Sequence, residues 1–532
     1  MSTYILAYDI GTTGVKTCLF EVGGAIKLIG SAARSYPLYI LDGGGAEQDT
    51  EDWWRGMAES TREIFDSSEV RPEQIAGISF CSQMQGLILV DREGKALRRP
   101  MSYMDQRATE EIRKGIANGI QIAGANINKL IPSLRITGAV AGSVKDPVWK
   151  YKWVEANEPE IFAKVYKWLD VKDYLILRCT GKFTMTEDSA FGTMLYDIRP
   201  ESRGWSSEMC QMLGVNEEHL PDIINSTDVA GTLTAEAAAS LGLAEGTPVY
   251  GGGGDSSLIG IGAGAVNVGD THIYSGTSGW VITVTDRQLV DVTSMIAAII
   301  GADRSKYNYF AEMETAGKCL EWVRDHLAKD EIGIYIKKEG VPSDYEEQST
   351  SLYSYMTEII KDVEPGSGGL IFTPWLHGNR CPFESPYARG MFFGIGLDTG
   401  KTEMIHAVLE GVFYHLRWML ECQDRRIRTS KTIRFVGGGA LSPVSCQMLA
   451  DITGRVIETV DSPQNVGSVG ACAVTAVGLG LIPDLSCVKD FIQVTATYKP
   501  DKEKHKAYRP YYRTFKRLFA ANKMLFTQLA KA

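Results

Sequence analysis

Several quick routes to a classification are closed in this sequence. Its 532 residues hold ten cysteines but no C-x-x-C pair, and the seven histidines form no H-E-x-x-H and no pair at metal-ligand spacing. A dedicated zinc site is therefore not expected. The cysteines are scattered through apolar surroundings and are expected to be reduced and mostly buried rather than a disulfide framework. Positive charge is in deficit: 55 Lys and Arg stand against 65 Asp and Glu, for a formal net charge of −10. That balance gives no support for a nucleic-acid partner or an anionic membrane. The longest apolar run, VGACAVTAVGLGLI from Val469, is too short and too glycine-rich for a bilayer span and reads as a buried helix. The N-terminal MSTYILAYD has no basic segment, so it is not read as a signal peptide, and a cytoplasmic location is expected. No G-x-S-x-G elbow occurs in a strand–turn–helix context, which excludes a serine hydrolase of that type.

What the sequence has is glycine, 55 residues of it, gathered into turns between apolar runs. The length calls for at least two domains, and the alternation of strand-like and helical patterns points to an α/β class. Residues 4–9, 15–21 and about 26–36 predict a three-strand meander. A helix is expected after it, capped by Asp49 or Thr50, with Trp54, Met57, Thr61 and Ile64 on one face. IAGISFCSQMQGLILVD then predicts two short strands around a polar turn, with helical segments to about residue 180.

The opening pattern returns after residue 245. I-G-T-T-G-V-K-T-C-L-F-E and S-G-T-S-G-W-V-I-T-V-T-D share one strand, G-T-[ST]-G turn, strand order, which predicts an internal duplication. Either turn alone is equally a plain hairpin. Together, Gly11-Thr12-Thr13-Gly14 with Lys16 and Gly276-Thr277-Ser278-Gly279 suit a ligand bearing several phosphates. Glycine lets the anion approach the backbone N–H groups, and the hydroxyls add donors. An acid beside such a turn repels phosphate unless a divalent cation lies between, so Asp9 is expected to hold Mg²⁺. In GGGGDSS, Asp255 is either a turn or helix cap, or a general base exposed by glycine to a substrate hydroxyl. Gly437 to Gly439, between a strand and a helix, form a third seat for part of a nucleotide. GIGAGA from Gly260 formally fits the dinucleotide fingerprint, but it falls inside a predicted helix, and a dehydrogenase is rejected.

These segments resemble those of the FGGY carbohydrate kinases over about residues 4 to 490. DIGTTGVK resembles the first phosphate loop, and AEQDTEDWW the family's E-Q-D-P-x-x-W-W. SQMQGLILVDREGKALRRPMSYMDQRA is similar to the run from the sugar-contacting turn to W-x-D-x-R. DPVWKYKWVEANEPEIF and GMFFGIGLDTGKTEMIHAVLEG are similar to the two family signatures, and TAGKCLEW and VGGGALSP to the nucleotide-side segments. The resemblance implies two ribonuclease-H-like domains of the actin/hexokinase ATPase type, with the active site in the cleft between them. The expected division is residues 1–250 for the sugar side and first phosphate loop, 251–490 for the base and nucleotide side, and 491–532 for a helical tail.

By the same resemblance Asp255 is the base, with Asp9 and Asp255 facing Mg²⁺. Thr12, Thr13 and Thr277 line the ATP phosphates, Gly317, Gly438 and Gly439 border the nucleotide, and Gln83, Met84, Gln85 and Asp105 face the sugar. Within the family the likeness is to xylulose kinases, which implies transfer of the ATP γ-phosphate to D-xylulose. The chain departs from them at Gln85, where histidine is usual, at Tyr103, where tryptophan is usual, and at GNRCPFES from Gly378, where G-E-R-x-P-x-x-D is usual. Kinases of glycerol, erythritol, ribulose or gluconate stay open as alternatives. An actin-like ATPase is a remote one, because it would not need the sugar-side segments. A homodimer is the expected assembly.

Overall fold

Two sheets with the same wiring organise the computed structural model, which describes residues 3–122, 125–327 and 359–530. In the first, Thr3–Ile10, Gly14–Val22 and Ile26–Ser35 form an antiparallel meander, and Ile75–Ser82 lies parallel to the opening strand. Pro248–Tyr250 adds in parallel and Val229–Thr232 closes that edge, while Gly253–Gly254 also pairs with Ile75–Ser82. In the second, Thr271–Ser275, Gly279–Thr285 and Tyr307–Met313 repeat the meander. Thr432–Val436 and Val456–Val460 follow in parallel, and Val494–Tyr498 closes the edge. The duplication legible in the two G-T-[ST]-G turns is thus a duplication of the sheet around them, and it gives the expected pair of domains.

The domains are joined by an exchange of helices. Asp255–Gly262 leaves the first sheet, yet its Ile259 shares a core with Trp280, Ile282, Val436 and Val460 of the second. Val466–Gly478 leaves the second sheet, yet its Val469, Cys472 and Val474 share a core with Ile5, Ala7, Cys18 and Phe20 of the first. The two helices cross where both are glycine. A Cβ at Gly262 would lie 2.0 Å from the Val466 carbonyl oxygen, and one at Gly470 would lie 2.1 Å from that of Leu258. This contact explains GIGAGA. Its first three residues end the helix and the rest form its C-terminal turn, with Gly264 at φ +73°.

The helix Thr50–Ser67 is capped by Asp49, whose side chain accepts the Glu51 amide at 3.0 Å. Trp54, Met57, Thr61 and Ile64 are all buried against the first sheet. The two short strands expected around the polar turn are present as Ile75–Ser82 and Ile88–Val90, and they lie in different sheets: Ile88–Val90 pairs with Lys167–Leu169. The helix Lys502–Leu529 docks Tyr508, Tyr512, Phe515 and Phe519 into the core of the second domain. None of the ten cysteines forms a disulfide, and all but the half-buried Cys487 are buried. Among the described residues no helix is long and apolar enough to cross a membrane.

Candidate active site

The first turn is held by its carbonyls. Gly11 O accepts the Tyr36 hydroxyl at 2.6 Å and Gln83 Nε2 at 3.1 Å. Thr12 O accepts Gln48 Nε2 at 2.7 Å, and Thr13 O accepts the Tyr36 amide at 2.9 Å. With these carbonyls engaged, the amides of Thr12 and Thr13 find no backbone acceptor among the described residues. That is the geometry an anion needs. The second turn has equivalent supports. Gly276 O accepts the Gly317 amide at 2.7 Å, and Thr277 O accepts the Ala316 amide at 3.1 Å. A Cβ at Gly317 would lie 2.4 Å from Gly276 O, and one at Gly439 would lie 2.8 Å from Ser275 Cβ. Gly317 therefore packs directly on the second turn at Gly276, and Gly439 on Ser275 just before it. Gly317 contributes close approach and not a donor, since its amide is taken.

Asp9 ends the first strand directly opposite Lys16 in the hairpin register. Burial pushes its carboxyl up, while the Lys16 ammonium and the Cys81 thiol oppose that rise. Lys16 Nζ donates to the Gln464 carbonyl at 3.3 Å, which ties the first turn to the second domain. The helix from Val466 starts against Asp9, so that a Cβ at Gly467 would lie 2.8 Å from Asp9 Oδ2.

Asp255 is the first residue of its helix and not its cap, a position held by Gly254. One carboxylate oxygen accepts the Ser256 amide at 2.7 Å. Burial, opposed by that amide and reinforced by Asp9, Glu312 and Asp170, raises its carboxyl to about 7. A carboxylate poised near neutrality can take a proton from an alcohol as phosphoryl transfer proceeds. The charge of Asp9 thus adds to the rise at Asp255. Among the described residues no group of three or more side chains could hold a metal unaided. Asp9 and Asp255 are nonetheless of the chemistry Mg²⁺ takes, since it keeps several waters and binds through one or two carboxylates plus substrate phosphates.

On the acceptor side the structure sorts the expected residues. Met84 lies against the base loop, with the Ser256 hydroxyl donating to its Sδ at 3.2 Å. Gln85 holds φ at +63°, its side chain half-buried over Gly192. Gln83 is committed to the first turn and to Gln48, leaving only its buried, unpartnered Oε1 for a substrate. Asp105, expected to face the sugar, does not. It is fully enclosed, and its oxygens accept the Ala46 amide at 2.8 Å and the Arg107 guanidinium at 2.7 Å. Its role here is to anchor Arg107, which also reaches Glu47. The cleft-facing member of that segment is Tyr103, whose hydroxyl lies 3.4 Å from Thr12 Oγ1.

Sequence reasoning missed a charged cluster opposite. Arg380 donates to Glu312 at 2.7 Å and lies 3.6 Å from Glu314, which Lys145 of the first domain approaches at 3.6 Å. The signal was the arginine of GNRCP, but its partners lie some 68 residues away on another strand.

Models of the FGGY family of carbohydrate kinases match the chain, the N-terminal domain over residues 4–262 and the C-terminal domain over residues 272–479. Xylulose kinase of Bacillus subtilis is 28% identical over 528 residues, covering 99% of this chain and 98% of that protein. Gluconokinase of the same organism is 29% identical over 537 residues, with 100% and 98% covered. Two solved structures from Lactobacillus acidophilus, a gluconate kinase and a ligand-bound xylulose kinase, each superpose with a TM-score of 0.83 at 25% identity. Each covers 99% of this chain and 100% of its own. With both domain models matched in order and the fold shared, the chain belongs to the FGGY family of carbohydrate kinases, sugar phosphotransferases that use ATP.

Proposed function

We propose that the enzyme transfers the γ-phosphate of ATP to a hydroxyl of D-xylulose, giving D-xylulose 5-phosphate. Asp255 takes the hydroxyl proton, Gln85 and Met84 bound the sugar, and Gln83 offers it Oε1. The turns at Gly11–Gly14 and Gly276–Gly279, with Lys16 behind the first, cradle the phosphates. Gly317, Gly438 and Gly439 border the nucleotide. Asp9 and Asp255 would hold Mg²⁺, which when bound neutralises phosphate charge. Positioning and charge neutralisation carry most of such a reaction. The lobes are residues 1–250 and 251–490 with a tail from 491, and a cytoplasmic homodimer is carried over from the family.

The observation that carries a neutral sugar is the charge state of the cleft. Arg380 and Lys145 are already paired with Glu312 and Glu314, and Lys150 donates to the Gln85 carbonyl. A polyhydroxy ketose meets hydrogen-bonding groups there, whereas an aldonate would bring a carboxylate toward Asp9, Asp255 and the two glutamates. The likeness to gluconokinases favours D-gluconate as a second reading. A coupled ADP-release screen over D-xylulose, D-ribulose, D-gluconate, erythritol and glycerol decides. The highest kcat/KM on D-xylulose is the expected result, and a preference for D-gluconate would replace the first reading by the second.

A further inference from the structure

The turn Gln83–Gly86 has an unusual construction behind it. Gln85 sits in the left-handed region, φ +63°, without being glycine, a conformation that is strained for a side-chain-bearing residue. Something must hold it. On one side is Asp170, whose Oδ2 accepts the Gln85 amide at 2.9 Å and whose Oδ1 accepts the Gly86 amide at 2.9 Å. On the other is Lys150, whose ammonium donates to the Gln85 carbonyl at 2.7 Å. Both residues are nearly or wholly enclosed, at 4% and 0% exposure. Asp170 also caps the helix Val171–Thr180, accepting the Val171 amide at 2.8 Å, where the helix N-terminus favours a negative charge. Folding alone gives little reason for so enclosed a pair, because burying an amine and a carboxylate is destabilising unless their hydrogen bonds offset it.

We infer that Asp170 and Lys150 are positioning residues that fix acceptor affinity by clamping the Gln85 peptide from both sides. Neither touches the substrate. They set where the Gln85 side chain projects, while Gly86 lets Asp170 come close, since a Cβ there would lie 2.9 Å from Asp170 Oδ1. The inference rests on the reading of Gln83–Gly86 as the acceptor's turn.

Two comparisons test it, with D-xylulose as the acceptor, or D-gluconate if the screen selects that. Asp170→Asn keeps the size but cannot accept at both ends, because one oxygen is replaced by a donor that faces an amide of the turn. It should raise the acceptor KM at least tenfold and leave the ATP KM within about twofold. Glycine adopts positive φ unaided, so Asp170→Asn should raise the acceptor KM several-fold more in the wild-type background than in the Gln85→Gly background. Lys150→Met, which removes only the donor to the Gln85 carbonyl, should show the same dependence on background and keeps the test where the Asp170 variant does not fold. A parallel rise of the acceptor and ATP KM values in Asp170→Asn, or an equal effect of the clamp variants in the two backgrounds, would overturn the clamp. If Gln85→Ala leaves the acceptor KM at the wild-type value, the turn itself is not the acceptor's, and both readings fall.

Discussion

Asp188 and Gly254 are joined by a hydrogen bond in which the Gly254 amide donates to Asp188 Oδ2 at 2.8 Å. The other oxygen of Asp188 accepts the Ser189 amide at 2.9 Å and the Thr186 hydroxyl, so the carboxylate is fixed on both sides. Gly254 immediately precedes Asp255, so the proposed base is held in place by an acid that is itself buried. Asp188→Asn should lower kcat about tenfold to a hundredfold, the usual consequence of a misplaced reacting group. Both KM values should stay within about threefold. Steady-state kinetics with each substrate varied in turn reads the split.

The raised carboxyl of Asp255 makes a pH prediction with a definite sign. Its value of about 7 in the folded protein exceeds the ordinary 3.8, so between those values folding takes up a proton. The stability that Asp255 contributes is highest below the lower value and falls as pH rises through the window to 7. The carboxamide introduced by Asp255→Asn does not titrate. The melting temperature of that variant relative to wild type should therefore climb from about pH 4 to about pH 8 in the absence of substrates. In the wild-type enzyme, kcat/KM for the sugar should rise with pH along an acid limb centred near 7. A melting difference independent of pH would contradict the assignment.

Asp9→Asn removes half the charge of the proposed Mg²⁺ seat while keeping its shape. The Mg²⁺ concentration for half-maximal rate should rise at least tenfold, with nucleotide-free stability equal or greater because a carboxylate disfavoured by burial is gone. A titration of rate against Mg²⁺ at fixed ATP checks it. An unchanged midpoint would remove Asp9 from that role.

Gly470→Ala tests the helix exchange that joins the lobes. The added methyl would meet the Leu258 carbonyl oxygen at 2.1 Å, and backbone on both sides leaves little room to give. A loss of about 3 kcal/mol is expected, at the upper end for overpacking. Denaturant unfolding measures it.

The parts of the fold that were legible in the sequence are those written in local pattern. The two meanders, the cap at Asp49, the buried helix from Val466 and the glycine turns all follow from periodicity and backbone need. Even the duplicated sheets could be read, because each copy keeps its own G-T-[ST]-G turn. The helix exchange could not, since Gly262 and Gly470 meet across roughly 200 residues of chain and small residues in a helix have many meanings. The site divided the same way. Asp9, Asp255 and the two turns announce themselves by acid and glycine in a short stretch. Asp105 misled because a motif position says nothing of how many donors enclose it. Asp170, Asp188 and the Arg380–Glu312 pair escaped notice because their partners are backbone amides or distant strands, which a linear sequence does not juxtapose.

The most direct measurement pairs sugar-dependent ADP release with ATP binding, in the wild-type enzyme and in Asp255→Asn. At pH 8 the wild type should release ADP only when D-xylulose or another acceptor from the screen is present. Asp255→Asn should lose that turnover by a factor of about 10² to 10⁴, the span of general-base catalysis, with the ATP dissociation constant by calorimetry within about threefold. Turnover by Asp255→Asn close to that of the wild type would contradict the account. So would wild-type ADP release that no acceptor stimulates.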